Sequence, residues 1–246
     1  MPEYDSLADL YDLEYAHDYD VPFWLALAER ERGPIVEWGA GTGRIATSLA
    51  RAGHEVIAVE LSEAMVEAGR TKEPGIRWVC GDMRDAELDR RYGLAVCAFN
   101  SFLCLRSVED ALAFLENARE HLLPGGLLGV EVSAFVPEEL AGGPEARHDR
   151  TRVLPDGGAL ERFSVSRYDP ASQLLGMTLF YELYGASGEL QGRRRHELTI
   201  RVTFRDELGL MLRLAGFEVE AVYGGFEGEP FTSESDHLIA LGRLAL

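Results

Sequence analysis

The sequence is poor in cysteine and in positive charge. Its 246 residues include three cysteines, Cys80, Cys97 and Cys104, and 24 Lys and Arg residues against 42 Asp and Glu residues. The cysteines lie in or beside apolar runs without the spacing of a metal site, so we interpret them as buried reduced thiols. A formal net charge of −18 repels phosphate backbones, so we expect no nucleic-acid partner.

Long apolar runs and a leader sequence are also missing. The N-terminus, Met-Pro-Glu-Tyr-Asp-Ser, is acidic and has neither the basic start nor the apolar core of a signal peptide. No apolar run is long enough to span a bilayer. We therefore expect a cytoplasmic protein without membrane contact. With 46% hydrophobic residues the chain can bury a large core, and we expect a single domain over 1–246.

A glycine-rich segment follows a short apolar stretch. Residues 35–37, Ile-Val-Glu, lead into a loop with glycine at every second position, Gly39, Gly41 and Gly43, and residues 44–50 have a helical pattern. A strand, a glycine turn and a helix are typical of a nucleotide-type site at the carboxyl end of a parallel strand. Glycines permit the sharp turn and let a ligand approach the backbone without meeting Cβ atoms.

The spacing of these glycines separates two classes of site. The dinucleotide fingerprint G-x-G-x-x-G requires its third glycine at position 44, but the residue there is Arg44 and the glycine comes one position earlier. This spacing disfavours an NAD-dependent oxidoreductase. On this motif alone, an ordinary glycine turn between a strand and a helix remains the alternative.

Three further apolar segments end in polar residues. A carboxylate about twenty residues after the glycine loop suits a ribose, because it can accept hydrogen bonds from both hydroxyls. The alternatives to a ligand contact at these three positions are a solvated glutamate, a Gly-Asp turn and a helix cap. The predicted strands and the residues that end or follow them are 55–60 with Glu60, 76–80 with Gly81-Asp82-Met83, and 92–99 with Asn100-Ser101.

The N-terminal residues 1–31 are rich in tyrosine and aspartate. Their apolar residues recur at helical spacing, which predicts two helices broken near Val21-Pro22. We interpret the segment as a helical lid over the ligand, or as a docking helix that covers the sheet. Both can hold, because a tyrosine packs its ring and still offers its hydroxyl. Tyr11 and Tyr15 are the candidate ligand contacts.

Residues 143–203 combine turn residues with period-two stretches over 160–168, 174–184 and 196–203. We predict an inserted antiparallel β platform that forms a substrate roof. The alternative is a simple cover or a dimer edge, which would make the platform a homodimer interface. The basic run at 192–195 fits a solvated hairpin tip better than a contact to an anionic substrate.

Together these signatures resemble the class I S-adenosylmethionine (SAM)-dependent methyltransferases. They are the acid and glycine loop at 37–43, Glu60, Gly81-Asp82, and the helix, Leu-Pro-Gly-Gly and strand sequence around 123–126. The N-terminal Tyr-Asp pairs and the turn after Tyr223 resemble the branch that methylates small molecules. The resemblance implies an α/β Rossmann-like fold, with a seven-stranded sheet, an antiparallel last strand and the inserted antiparallel β platform.

The resemblance also implies SAM as cofactor and assigns residues to the site. Asp82 is expected to meet the adenine edge and Met83 to pack on the ring. Asn100 and Ser101 are expected near the transferred methyl. The implied cofactor-binding residues are Tyr11, Tyr15, Glu37, Gly39, Ala40, Gly41, Gly43, Glu60, Leu61, Asp82, Met83 and Phe99. No metal site is expected.

The implied reaction is direct displacement of a methyl group onto a small-molecule nucleophile, for which an amine is favoured over a hydroxyl. Because the sulfonium is already a good leaving group, the protein contributes alignment and exclusion of water more than acid–base power. For an amine acceptor, His196, a tyrosine and Glu227 are the candidates to accept a proton. A non-catalytic SAM-binding or scaffold protein, and less so an oxidoreductase, are the alternatives.

Overall fold

The computed structural model describes Asp5, residues 7–136, Leu140 and residues 145–245. A 3₁₀ helix, Ser101–Cys104, precedes the fifth α-helix. The helices and strands, in chain order, are α1 (Ala8–Glu14), α2 (Val21–Arg30), β1 (Ile35–Trp38), α3 (Arg44–Arg51), β2 (Val56–Glu60), α4 (Glu63–Lys72), β3 (Arg77–Cys80), β4 (Tyr92–Cys97), α5 (Val108–Glu120), β5 (Leu122–Ser133), β6 (Arg147–Val153), β7 (Ala159–Asp169), β8 (Leu174–Tyr184), β9 (Leu190–Arg201), α6 (Arg205–Leu214), β10 (Phe217–Tyr223) and β11 (His237–Leu244).

Seven strands form a mixed sheet in the order β3-β2-β1-β4-β5-β11-β10. Strands β1 to β5 pair in parallel, whereas β11 runs antiparallel to both of its neighbours, β5 and β10. Every residue of β1 and β4 is buried, as expected for parallel strands covered on both faces. The prediction of a Rossmann-like sheet with an antiparallel last strand is therefore confirmed.

Helix α2 fixes the N-terminal segment to the sheet. It begins at Val21 with Pro22 in its first turn, where the missing N–H of proline costs no hydrogen bond. Its Trp24 is fully buried and lies so close to Gly129 of β5 that a Cβ there would come within 2.8 Å of the indole ring. The predicted break between two N-terminal helices is present, and the second helix packs on the sheet.

The second sheet is an antiparallel meander of β6, β7, β8 and β9, inserted between β5 and α6. The predicted strands over 160–168 and 174–184 are present, and β7 and β8 pair from Ala159 with Tyr184 to Asp169 with Leu174. The predicted inserted antiparallel sheet is thus confirmed. The strand over 147–153 was not predicted, because its sequence, Arg-His-Asp-Arg-Thr-Arg-Val, has no apolar alternation; its pairing with β7 makes it a strand.

Some boundaries differ from the sequence prediction. The Leu-Pro-Gly-Gly segment does not precede the fifth strand but lies inside it, since β5 starts at Leu122, paired with Tyr92. A register shift after Tyr92 and the positive φ of Gly125 (73°) accommodate the segment. Strand β9 starts at Leu190, six residues earlier than the predicted 196, because β8 supplies partners along that whole length.

The cysteine prediction needs a correction. All three thiols are free, as expected, but only Cys97 is buried; Cys80 is exposed at the end of β3 and Cys104 is half-buried. Cys80 follows an apolar run but terminates its strand, which puts its side chain at the surface. Among the described residues, no group of His, Cys, Asp or Glu side chains could hold a metal ion, and no helix is long and apolar enough to cross a membrane.

Parts of two predicted segments lie outside the described residues. These are residues 1–4 and 6 of the N-terminal segment, together with the predicted turns at 137–139 and 142–144, which include the first two residues of the platform range 143–203.

Gly93, at the start of β4, provides a test of the packing beneath the site. A Cβ at this position would lie 1.7 Å from the carbonyl oxygen of Arg32. Gly93→Ala is therefore expected to lower the free energy of unfolding by about 1–3 kcal/mol through overpacking, measured by urea denaturation.

The matched control is Gly209→Ala in α6, where a Cβ meets no atom within 4 Å. Alanine is the better helix former by about 1 kcal/mol, so this variant is expected to be as stable as the natural chain or more stable. Equal destabilisation of both variants would contradict the backbone clash at Gly93.

Candidate active site

A cavity of 510 Å³ opens at the carboxyl ends of β1, β2, β3 and β4. The loops that follow the strands of a parallel sheet start at these carboxyl ends, and ligands of doubly wound folds bind there. Residues from α1, from α4 and from the 3₁₀ segment complete the wall. The lining residues are Tyr11, Gly39, Gly41, Glu60, Leu61, Ser62, Met65, Gly81, Asp82, Met83, Arg84, Phe99, Asn100, Ser101, Cys104, Leu105, Arg106 and Asp110.

The glycine loop forms the floor of the cavity. Gly39, Gly41 and Gly43 have φ values of 67°, 57° and 79°, a left-handed conformation that side chains rarely adopt. Gly39 and Gly41 face the cavity. Gly43 instead makes room for the indole of Trp78, because a Cβ there would lie 2.6 Å from that ring. Ala40, between Gly39 and Gly41, is buried and does not line the cavity.

Glu60 joins this loop to the end of β2. One carboxylate oxygen accepts the backbone N–H of Gly41 at 2.9 Å and the other accepts that of Ser62 at 2.8 Å. A carboxylate has about four acceptor sites, so each oxygen keeps one for a further donor. Burial raises the pKa of Glu60, although hydrogen bonds from these two amides oppose the shift. Leu61 follows at the cavity wall, half exposed.

Asp82 is held by a residue that the sequence analysis did not identify. Arg84 donates from Nε and Nη2 to the two oxygens of Asp82, at 3.0 and 2.6 Å, and from its own backbone N–H at 2.9 Å. These hydrogen bonds lower the pKa of Asp82. Arg84 also reaches Asp110 of α5 at 2.5 Å. Met83, beside Asp82, lies in the cavity wall as well.

The end of β4 has an unusual backbone. Phe99 and Asn100 both have positive φ values, 53° and 67°. The N–H of Phe99 donates to Glu131 at 2.5 Å, and Asn100 Oδ1 accepts the N–H of Ser133 at 2.6 Å. Ser101 Oγ donates to the carbonyl oxygen of Gly39 at 2.8 Å. Phe99, Asn100 and Ser101 therefore line the cavity while hydrogen bonds hold this turn against β1 and β5.

The N-terminal segment covers one side of the cavity through its tyrosines. Tyr11 lines the cavity, and its ring lies 4.8 Å from that of Tyr15. Tyr15 does not line it; its ring meets Phe99 at 4.9 Å, and its hydroxyl accepts from Arg162 of the platform at 3.3 Å. Burial raises the pKa of Tyr15 to about 12, so its phenol is neutral at physiological pH. Tyr15 thus connects the N-terminal segment, β4 and the platform.

Arg44 fastens the N-terminal segment to the glycine loop. Its guanidinium binds the buried carboxylate of Asp20 in bidentate fashion, at 2.5 and 2.7 Å, and lies 5.1 Å from the centre of the Phe99 ring. A bidentate pair of this kind is among the strongest side-chain hydrogen bonds. The position that disfavoured a dinucleotide site is therefore used for a contact with the N-terminal segment.

Three of the candidate polar residues lie away from the cavity. Glu37 is 4% exposed and accepts the backbone N–H of Ala46 at 2.7 Å, at the start of α3. Burial raises its pKa to about 8. His196 is buried in the platform, opposite Leu179 of β8, and the structure does not bring it to the cavity wall. Glu227 is exposed in the turn before β11.

An aromatic cluster extends from Phe99 away from the cavity. We use this name for Tyr15, His17, Tyr19, Phe99, Phe226 and His237. Successive rings in it lie 4.6 to 5.6 Å apart, and Tyr19 is 53% exposed at its outer end. His17, Phe226, His237 and the buried Glu131 beside them were not predicted from the sequence as functional residues. An acid inside the apolar run of β5 was the one available signal.

Two arginines of β6 approach the same cluster. Arg150 lies 5.7 Å from the centre of the Tyr15 ring, and Arg152 Nε donates to the carbonyl oxygen of Glu14 at 3.0 Å. Burial lowers the pKa of His17, and the charges of nearby arginines, these two among them, lower it further. Within the described part of the chain, neither arginine pairs with a carboxylate.

Comparisons with known proteins agree with this geometry. A family model described as a methyltransferase domain matches residues 35–126, from β1 into β5. The chain is 30% identical over 233 residues to the dTDP-3-amino-3,6-dideoxy-alpha-D-glucopyranose N,N-dimethyltransferase of Streptomyces fradiae, which covers 91% of this chain and 88% of that protein. It is 27% identical over 209 residues to the cypemycin N-terminal methyltransferase of a Streptomyces species, covering 84% and 81%.

The fold comparison extends over the whole chain. The CcbJ methyltransferase from Streptomyces caelestis superposes with a TM-score of 0.79 at 28% identity, covering 98% of this chain and 96% of that one. These relatives give no support to an oxidoreductase or to a non-catalytic scaffold. The chain belongs to the SAM-dependent methyltransferase family, and SAM is its cofactor.

Proposed function

We propose that this chain transfers a methyl group from SAM to the amine of a nucleotide-linked amino sugar or a closely similar small molecule. The Streptomyces fradiae relative, which acts on a dTDP-linked amino sugar, supports the acceptor class. The observation that carries the proposal is the position of Arg150 and Arg152. They offer two positive charges beside the aromatic cluster of a chain with net charge −18. An acceptor that bears a phosphate would be attracted to them.

The residues around the cavity fit SAM. Gly39 and Gly41 leave the floor free of Cβ atoms, and Glu60 retains acceptor capacity on both oxygens for the two ribose hydroxyls. Asp82 is kept ionised by Arg84 and can accept from an exocyclic amine. Tyr11 is positioned to close over the bound molecule. These are the roles that we assign to the cofactor-binding residues at the cavity wall.

SAM supplies an electrophilic methyl group on a sulfonium that departs as a neutral thioether. The chain aligns the acceptor and keeps water out. Asn100 and Ser101 would act in this through the shape of their turn, since Asn100 Oδ1 and the Ser101 hydroxyl are hydrogen-bonded within the protein. We assign no catalytic role to His196, because it is buried inside the platform opposite Leu179 of β8. Glu37, Ala40 and Gly43 would act by shaping the loop and the start of α3.

The surrounding segments receive roles on the same grounds. Residues 1–31 would serve as the lid, because Tyr11 lines the cavity and Arg44 binds Asp20. The platform at 143–203 would serve as the substrate roof, because Arg150 and Arg152 project from it toward the lid. A homodimer through the outer edges of the platform, β6 and β9, remains a prediction, which light scattering of the purified protein would test.

The proposal is tested by methyl-transfer assays on purified protein with SAM. The acceptors are nucleoside-diphosphate-linked amino sugars, the corresponding free amino sugars, and nucleotide-linked sugars with a hydroxyl in place of the amine. Mass spectrometry is expected to show methylation of the amine only, with the nucleotide-linked form preferred. Transfer to the hydroxyl sugars alone, or to none of the acceptors, would contradict the proposal.

Replacement of Glu60 tests the ribose contact. Glu60→Gln removes the charge and one acceptor oxygen, so SAM is expected to bind about 1.5–3 kcal/mol more weakly in a calorimetric titration, the range for hydrogen bonds to a charged group. The demethylated product has the same ribose, so its affinity for the variant should fall by the same amount. The matched control is Glu67→Gln, on the exposed face of α4. An unchanged SAM affinity in Glu60→Gln would contradict the assignment of Glu60 to the ribose.

Replacement of the two arginines tests the anion contact. In the double variant Arg150→Gln/Arg152→Gln, the KM for a nucleotide-linked acceptor is expected to rise about tenfold or more, because hydrogen bonds to charged groups are worth about 1.5–3 kcal/mol. SAM affinity and the KM for a free amino sugar should change little. Arg147→Gln, at a side chain 70% exposed on the same strand, is the control. Equal loss for both acceptor types would contradict an anion-specific role.

A further inference from the structure

A hydrogen-bonded pair of His237 and Glu131 lies between β5 and β11 next to the aromatic cluster. His237, the first residue of β11, places Nδ1 2.9 Å from Glu131 Oε1. The Glu131 side chain is 2% exposed and that of His237 is 22% exposed. A buried carboxylate is costly unless a cation or hydrogen-bond donors surround it. Glu131 has His237 on one oxygen and the Phe99 amide on the other.

This pair is connected directly to the cavity wall. The Phe99 N–H donates to Glu131 Oε2, so the amide of a cavity-lining residue and the imidazole of His237 bind the two oxygens of one carboxylate. The backbone N–H of Asn100 also donates to the carbonyl oxygen of Glu131, at 3.3 Å. His237 is therefore anchored to the turn that ends β4, although it does not line the cavity.

The second nitrogen of His237 is available. Nδ1 is used by Glu131, and within the described part of the chain no hydrogen bond to Nε2 exists. Phe226 and Tyr19 flank the ring at centroid distances of 4.6 and 6.1 Å. Aromatic faces attract cations, and Glu131 adds a negative charge beneath them. This enclosure suits an ammonium group that enters from the exposed end at Tyr19.

We propose that Nε2 of His237 accepts the proton that the acceptor amine must lose, and that Glu131 orients the imidazole for this step. The inference rests on the proposed amine acceptor. A protonated amine gives its proton to Nε2 and regains its lone pair. The lone pair forms the new nitrogen–carbon bond to the methyl group as the carbon–sulfur bond breaks. The electrons of the broken bond stay on sulfur. The proton then leaves the imidazolium for solvent through the exposed edge.

The electrostatics around His237 agree with a proton acceptor. Burial lowers its pKa, but the hydrogen bond and the charge of Glu131 outweigh burial and raise the pKa above the usual value of 6.5. The charged groups that face it are Glu131 from β5, Asp236 from the preceding turn and Asp20 from the start of α2, and the Tyr19 phenol lies beside it. Below this pKa the imidazole is already protonated and cannot accept, so activity must fall as the pH falls through it.

The test compares two variants with a control in the full-length protein. His237→Asn retains a donor near the position of Nδ1 but removes Nε2, and Glu131→Gln removes the charge while keeping an oxygen for the Phe99 amide. The control is His54→Asn. His54 precedes β2 and therefore lies at the amino ends of the parallel strands, opposite the cavity. Thermal unfolding and calorimetric SAM binding establish that each variant is folded and binds the cofactor.

The expected result is a loss of turnover without loss of SAM affinity. For His237→Asn we expect kcat to fall about 100-fold at neutral pH, the lower end of the range for proton transfer to a side chain. In the natural chain, kcat should fall as the pH drops through the pKa of His237, above 6.5. In His237→Asn this dependence should disappear, and only the titration of the acceptor amine should remain. Glu131→Gln should move the fall in kcat to lower pH, and His54→Asn should match the natural chain.

A direct readout follows the histidine by NMR. In spectra of the Cε1–H group, the His237 signal should titrate above pH 6.5 in the natural chain and at lower pH in Glu131→Gln. It should also shift when an acceptor amine is added in the presence of the demethylated cofactor product.

Unchanged kcat and pH profile in His237→Asn, with an active natural chain, would overturn the role of His237 alone. Transfer by the natural chain to hydroxyls only, or to no acceptor, would overturn the amine function and this inference with it.

Discussion

Three carboxylates near the carboxyl ends of the strands hold the turns on which the site is built. Glu37 lies next to the last residue of β1 and accepts the N–H of Ala46 in α3. Glu60 ends β2 and accepts those of Gly41 and Ser62, and Glu131 near the end of β5 accepts that of Phe99. Parallel strands release their chain at this edge, so the turns carry backbone donors without a partner in the sheet. The acids provide those partners, and two of the donors, Gly41 and Phe99, are held in left-handed conformations.

This arrangement explains why the glycine loop and the N-terminal segment depend on each other. A loop with three positive-φ glycines has little side-chain packing of its own. Glu60 fixes it from below, and the Arg44–Asp20 pair, with Arg44 over the Phe99 ring, fixes the segment that covers it. A dinucleotide-type glycine at position 44 could not make that contact. The spacing that identified the family therefore also has a structural consequence in this chain.

The fold was predictable because its signals are local. A continuous apolar strand, an acid, alternating glycines and a helical repeat can each be read within a few residues, and their order determines the sheet. The candidate site was predictable only in part. Glu60 ends β2 and Asp82 follows β3. Arg84 lies two residues after Asp82, but no motif marks it. Arg150 and His237, in contrast, meet their partners through pairings between distant segments. Strand β6 escaped prediction for the same reason: its polar sequence becomes a strand only through β7. His196 was singled out by residue type, and residue type carries no information on position.

The placement of these carboxylates also bears on how the reaction is favoured. Methyl transfer to an amine moves positive charge from the donor to the acceptor nitrogen. A carboxylate close to that nitrogen stabilises the transition state more than the ground state, which is the condition for acceleration rather than tighter binding. Glu131 is buried and fixed by two hydrogen bonds, so it does not reorganise as the charge arrives. In the proposed step the proton reaches His237 before the methyl group moves, so the imidazolium forms beside Glu131 and that carboxylate remains compensated until the proton leaves for solvent.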